Sequence, residues 1–206
     1  MIALINYGSG NLRSVHNALV SQGADVQILE DPERISEASA VVLPGVGAFG
    51  DCAQQIHARG FWEPVQRWIA QDRPFLGICV GYQMMFEGSE EAPDVPGFGF
   101  FKGQVQRFKT PELKVPQIGW NSLELTKPKD PLWSGLPPNP HVYFVHSFHP
   151  AETNKEIVTA KCTYGESFAA AGGLGRVAGV QFHPEKSQHI GLAILTNFIT
   201  KLAESN

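Results

Sequence analysis

Short apolar runs alternate with helical patterns through the first half of this chain, and that alternation admits few architectures. Residues 2–7, 24–29, 40–44 and 75–79 read as buried strands, each closed by turn residues. Between them Leu12, Val15, Leu19 and Val20 recur at helical spacing, and 61–69 reads as a further helix. Strands that alternate with helices bring the chain back in the same direction each time. The expected core is therefore α/β, a mostly parallel central sheet with helices on both faces. The second half changes character. Runs at 105–108, 122–126, 142–145, 157–164, 167–171 and 177–182 follow one another with few helices between, which predicts antiparallel strands appended to the sheet. The stretches 87–103 and 128–140 read as surface loops, and a last amphipathic helix is expected over 190–202. A length of 206 residues suits a single domain over 1–206.

Composition narrows the class of partner. The chain is 43% apolar and 17% charged, with a net charge of −4, as for a packed globular protein. No run of lysines or arginines offers a footprint for a phosphate backbone, so no nucleic-acid partner is expected. Cys52, Cys79 and Cys162 are odd in number, widely spaced and without a C-x-x-C pair, which suggests neither a disulfide framework nor a zinc ribbon. No stretch approaches the roughly 20 apolar residues of a membrane span, and residues 1–7 lack a basic leader. The cytoplasm is the expected compartment, with no membrane partner.

The chemistry concentrates where strands end. The strand at 75–79 runs directly into Val80-Gly81-Tyr82-Gln83, giving G-x-C-x-G at a strand-to-helix junction. This is the thiol form of a nucleophile elbow, a turn so sharp that Gly77 and Gly81 are needed if Cys79 is to project into a pocket. Amides at the start of the following helix face the sulfur and can hold a developing oxyanion. A cysteine ending a strand is also an ordinary core residue, so the elbow alone leaves both readings open. A second strand, Gly179-Val180-Gln181-Phe182, stops at His183, and Pro184 keeps a helix from starting there. Parallel strands deliver such ends to one crest of the sheet, so Cys79, His183 and Glu185 can meet as nucleophile, base and orienting carboxylate. A glycine-rich turn after the third strand, 43–52, exposes backbone N–H groups. Gly47, beside the amide of Val80, is its best candidate oxyanion donor.

Rival readings have their own residues. Tyr7-Gly8-Ser9-Gly10-Asn11-Leu12-Arg13 with Glu30 mimics a dinucleotide fingerprint, but Arg13 stands where the third glycine belongs. His141, His146, His149 and His183 could suggest a metal site. A regular strand, however, would send His146 and His149 to opposite faces, and no metal or other cofactor is expected.

Taken together, P-G-V-G after the third strand, G-I-C-V-G-Y-Q-M-M-F at the elbow and Q-F-H-P-E near the end resemble the class I glutamine amidotransferases. Within that class, I-N-Y-G-S-G-N-L, P-D-V-P-G-F-G-F-F-K-G, P-Q-I-G-W-N, Y-F-V-H-S-F and H-P-E-K-S are similar to the glutaminase subunits of imidazole glycerol phosphate synthases. The resemblance implies an enzyme that hydrolyses glutamine, with Cys79 as nucleophile, His183 as general base and acid, and Glu185 orienting the imidazole. It implies that Gln83 contacts the bound glutamine, and that Ser147 and Phe148 hold its α-carboxylate and amine. It also implies a heterodimer with a (βα)8 cyclase, faced by Asn11, Trp120, Tyr143 and Lys186. Ser9 stands where some relatives have proline, and His149 follows Phe148 where other residue types occur. A glutaminase of a different synthase, or a γ-glutamyl peptidase that needs no partner, is the nearest alternative.

Overall fold

The computed structural model describes residues 1–151 and 155–203. Its main sheet has eight strands. Five of them, β1 (Ile2–Ile5), β2 (Val26–Leu29), β3 (Ala40–Gly45), β4 (Phe75–Cys79) and, from late in the chain, Val177–Val180, lie side by side. All four pairings among them are parallel. β1, β3 and β4 are buried along their whole length, which is what near-continuous apolar runs such as Ile2-Ala3-Leu4-Ile5 require of a strand covered on both faces. The connecting helices are α1 (Leu12–Ser21), α2 (Phe49–Ala58) and α3 (Trp62–Ala70). A short α4 (Val80–Gln83) follows β4 with no intervening residue.

Beyond these come β5 (Gly88–Ser89), β6 (Ala92–Pro96), β7 (Gln104–Arg107), β8 (Gln117–Ser122), β9 (Glu124–Leu125), β10 (His141–His146), β11 (Phe148–Pro150), β12 (Val158–Tyr164), β13 (Glu166–Leu174) and β14, the Val177–Val180 strand already described. The main sheet runs β2-β1-β3-β4-β14-β13-β12-β9. The expected α/β class is the one the chain adopts, and β13, β12 and β9 are the antiparallel appendix.

The remaining strands depart from expectation. β10 pairs with β8 as a separate two-stranded ribbon, and β11 joins β7, β5 and β6 in a four-stranded sheet, so neither extends the main sheet. β10 alternates, with Val142, Phe144 and His146 buried inward and His141, Tyr143 and Val145 outward, and the ribbon lays that inner face over the core. The 87–103 stretch is not a loop. It contains β5 and β6 and buries Phe98 and Phe101, each burial contributing about 1.5–3 kcal/mol. Pro93, Pro96, Gly97 and Gly99 had masked that apolar content. Helix α2 also lay hidden, because the glycine-rich signal of 43–52 extended over its first turn. Within 128–140, a 3-10 turn at Pro131–Trp133 buries Leu132 and Trp133. The last helix, α5 (Gln188–Asn197), starts two residues early and continues as a π-helical segment, Phe198–Ala203. It packs on α1.

Candidate active site

Cys79 sits at the last position of β4 with φ 56° and ψ −111°. This is a left-handed backbone that a side-chain-bearing residue adopts only under constraint. The constraint is visible. A Cβ on Gly77 would come within 2.7 Å of the Gly81 carbonyl oxygen, and one on Gly81 would overlap the Leu43 carbonyl. The two glycines let β4 turn into α4 directly against β3, and the thiol is pushed out above the sheet.

The strand beside it supplies the partners. β14 lies parallel to β4, with Val180 opposite Ile78, so the residues just past β14 arrive beside Cys79. His183 Nδ1 lies 2.8 Å from Glu185 Oε1, with the two side chains 2% and 0% exposed. A buried carboxylate accepts only, so Nδ1 carries the proton and the tautomer is fixed. Asn11 Nδ2, from the turn after β1, donates to the same Glu185 oxygen at 3.5 Å. Burial opposes a charged imidazole, but the Cys79 sulfur and Glu185 more than offset it, and the His183 pKa is pushed up to about 10. His183 Nε2 is buried without a hydrogen-bond partner. It is the free edge of the ring for exchanging a proton with the sulfur or a reactant.

A cavity of about 380 Å³ opens over this group, lined by Gly47, Cys79, Val80, Gln83, Ser147, Phe148 and His183, among others. Its volume is within the roughly 300–1,000 Å³ of small-molecule sites. Gly47 lies at φ +100°, and the carbonyl just before it is tied down: Val46 O accepts from Ser9 Oγ at 2.6 Å and Cys52 Sγ at 3.6 Å. Across the cavity, Phe148 O accepts from Gln83 Nε2 at 2.9 Å and lies 2.8 Å from His146 Nδ1. A buried thiol, imidazole and carboxylate in series, facing a cavity with a glycine turn on one side, can carry out acyl transfer through a covalent thioester.

A family model described as glutamine amidotransferase class-I matches residues 3–202. The chain belongs to the class I glutamine amidotransferases. Among full-length relatives, the imidazole glycerol phosphate synthase subunit HisH of Trichodesmium erythraeum (strain IMS101) is 45% identical over 207 residues, covering 100% of this chain and 96% of that protein. The protein of the same name from Syntrophotalea carbinolica is 44% identical, covering 96% of this chain and 98% of its own. Among solved structures, one described as the crystal structure of glutamine amidotransferase superposes with a TM-score of 0.78 at 18% identity, covering all of both chains. A glutamine amidotransferase from Thermotoga maritima gives 0.71 at 16%, covering 99% of this chain and 98% of that one. At those identities the two structures speak for the fold alone.

In this amidotransferase, Cys79, His183, Glu185, Gly47, Val80, Gln83, Ser147 and Phe148 fall at one place, the first two and the last five on the cavity wall and Glu185 behind His183. Asn11 lies against Glu185 at the same crest, half-buried. Trp120, Tyr143 and Lys186 form a separate cluster, with Trp120 and Lys186 exposed and Tyr143 half-buried. The Trp120 ring meets Tyr143 edge-on at 6.0 Å, and Lys186 Nζ lies 5.9 Å from the Tyr143 ring. The histidines do not obey a single regular strand. β10 ends at His146, the chain steps aside at Ser147, and the rings of His146 and His149 both pack on Phe108 and Phe168. Both are buried and hydrogen-bonded, His149 to Glu166 and His146 to Phe148 O. Burial lowers the pKa of each, that of His146 to about 3. Glu30, the acidic end of the dinucleotide mimic, accepts from Asn6 Nδ2 at 2.8 Å. Sequence reasoning missed Ser9 and Cys52 as anchors of the glycine turn. It also missed Gln181, whose side-chain partner Gln83 lies 98 residues away in the sequence.

Proposed function

We propose that this chain is the glutaminase subunit of an imidazole glycerol phosphate synthase, one glutamine amidotransferase type-1 domain working in the cytoplasm. The observation that carries the reading is the full-length identity of 44–45% to proteins of that name, and the His183–Glu185 pair beside Cys79 supports it. The thiolate of Cys79 adds to the side-chain carbonyl of glutamine, and amides at Gly47 and Val80 receive the oxyanion. His183 then protonates the amino group of the tetrahedral adduct, which leaves as ammonia, and a γ-glutamyl thioester remains on Cys79. Water enters, the now neutral His183 takes its proton, and glutamate leaves with the thiol regenerated. Glu185 holds the tautomer that both transfers need.

Ammonia released into water at neutral pH becomes ammonium, which is no nucleophile, so the product must pass to an acceptor before it escapes. The partner in this reading is a (βα)8 cyclase that consumes ammonia to make imidazole glycerol phosphate and the aminoimidazole carboxamide ribotide, a step of histidine biosynthesis. The exposed Trp120 and Lys186, with the half-buried Tyr143, suit the docking face. Glutamine hydrolysis by wild type and Cys79→Ala, each with and without the cyclase, tests this. Wild type alone should be slow and should accelerate with the cyclase, while Cys79→Ala should be inactive in both. Full activity in Cys79→Ala overturns the mechanism, and high turnover by the isolated chain overturns the dependence on a partner.

A further inference from the structure

Gln181 is completely buried, one residue past the end of β14, and does not line the cavity. Its main-chain N–H donates to Ala170 O at 2.8 Å, as the β13–β14 ladder requires, but the ladder does not account for its side chain. The amide reaches two groups: its oxygen is 3.0 Å from Gln83 Nε2, and its nitrogen is 3.7 Å from Cys79 Sγ. A buried primary amide is costly unless it is paired at both ends.

Which end faces which group follows from what each neighbour can donate or accept. A main-chain carbonyl can only accept. Phe148 O, 2.9 Å from the Gln83 amide, therefore fixes the nitrogen of Gln83 toward itself. That same nitrogen is the atom next to Gln181, so the second hydrogen of Gln83 must be received there, and the Gln181 atom that receives it must be oxygen. The nitrogen of Gln181 is left facing the sulfur. The chain of donors thus runs one way only, from Gln181 to Cys79 at one end and from Gln83 to Gln181 and Phe148 O at the other.

His146 fits the same polarity. Its Nδ1 stands 2.8 Å from Phe148 O, so it carries the proton. Burial holds the ring neutral, its pKa lowered to about 3. Its Nε2 lies 3.1 Å from the Gln117 side-chain amide.

We propose that Gln181 is a positioning residue for the nucleophile. Its amide N–H holds the Cys79 sulfur as an acceptor, and through Gln83 it ties the sulfur to Phe148, which forms the cavity wall. A thiolate accepts such a bond strongly, whereas the sulfur of a thioester accepts weakly. The contact therefore favours the attacking form over the acylated one. This inference rests on the reading of Cys79 as the nucleophile and adds a residue that does not touch the substrate.

The test compares wild type with Gln181→Met, which keeps the length and apolar volume of the side chain and removes the donor. Alkylation of Cys79 by iodoacetamide at pH 7, followed by mass spectrometry of the intact chain, should slow about tenfold, the lower end of what a hydrogen bond to a charged group supports. Glutaminase activity of the cyclase complex should lose a similar factor in kcat while KM for glutamine changes less than threefold. A residue with only a packing role would leave the alkylation rate of folded protein unchanged, and that result overturns the proposal. Should Gln181→Met not fold, the wild-type chain still decides. In protein with 15N-labelled side-chain amides, the assigned Gln181 resonance should move when Cys79 is alkylated, and an unmoved resonance overturns the proposal. If alkylated wild type keeps its glutaminase activity, the nucleophile reading itself has failed, which is a different result from either of these.

Discussion

The crest of the parallel strands and the β8–β10 ribbon both border the cavity, yet they are built on opposite terms. At the crest almost nothing is exposed or free to move. Cys79 is 4% exposed and held at a positive φ, and His183 and Glu185 are buried against one another. The ribbon buries one face and leaves the other open, with Ile118 63% and Trp120 48% exposed. Trp120 stands opposite Tyr143 and Ile118 opposite Val145 across the ladder, so the outer face is a continuous apolar strip. Pro116 and Val145 reach from it to the cavity rim. Rigidity serves a reaction whose groups must be aligned to fractions of an ångström. An exposed apolar strip of this kind is the sort of surface that marks an interaction site.

The largest expected effect breaks the crest. Glu185→Gln keeps the size of the side chain but removes the charge that fixes the His183 tautomer, and kcat of the glutaminase reaction should fall on the order of 10³ to 10⁴-fold. The pH dependence sharpens the reading. Burial lowers the His183 pKa, but Cys79 and Glu185 together raise it to about 10. The imidazolium, which in the proposed mechanism protonates the leaving amino group, is therefore present from below 6.5 upward and is lost as pH rises toward 10. Stability follows the same sign: the contribution of the charged ring is full below the unfolded value of about 6.5 and disappears as pH climbs through the folded one. In Glu185→Gln one raising cause is gone. The alkaline limb of residual activity should move to lower pH, and the stability difference from wild type should shrink between pH 6.5 and 10. A pH–rate series with thermal melts measures both, and an unmoved limb would place the relevant proton elsewhere.

The two regions also differ in how far they could be read from sequence. At the crest the chemistry is local. Gly77 and Gly81 bracket Cys79 within five residues, and Pro184 separates His183 from Glu185, so spacing carries the geometry. The parallel strands were legible because a strand covered on both faces must be apolar throughout, as Ile2–Ile5 is. The ribbon is set by pairings across about 25 residues, such as Ile118 with Val145. Its β8 strand, Gln117–Ser122, mixes Gly119, Trp120 and Asn121 with no clean alternation. The Gln83–Gln181 link spans 98 residues, and no local pattern marks it. Phe98 and Phe101 were hidden by their glycine and proline neighbours, whose turn signals were real but sat between the strands and the core.

Smaller effects should come from the ribbon. Trp120→Ala should leave the glutaminase chemistry of the isolated chain and its melting temperature nearly unchanged, because a half-exposed ring that meets Tyr143 edge-on contributes little to folding. If the outer strip docks the cyclase, the same change should weaken the complex by about 2 kcal/mol, roughly 30-fold in Kd, as truncation of a central aromatic anchor does. Titration calorimetry with purified cyclase reads this directly, and unchanged affinity would remove the strip from the interface.

Ile118→Ser should act least. At 63% exposure the side chain has little burial to lose on the free chain, and serine is tolerated on an open strand face. In a complex, a peripheral isoleucine removed from water contributes about 1 kcal/mol, or fivefold in Kd. Its value lies in contrast with Trp120→Ala. An effect near fivefold puts Ile118 at the rim and Trp120 at the centre of the covered area. Equal losses would mean that the strip is buried evenly along its length, and the contrast between a rigid crest and a recognition face graded from its centre would have to be redrawn.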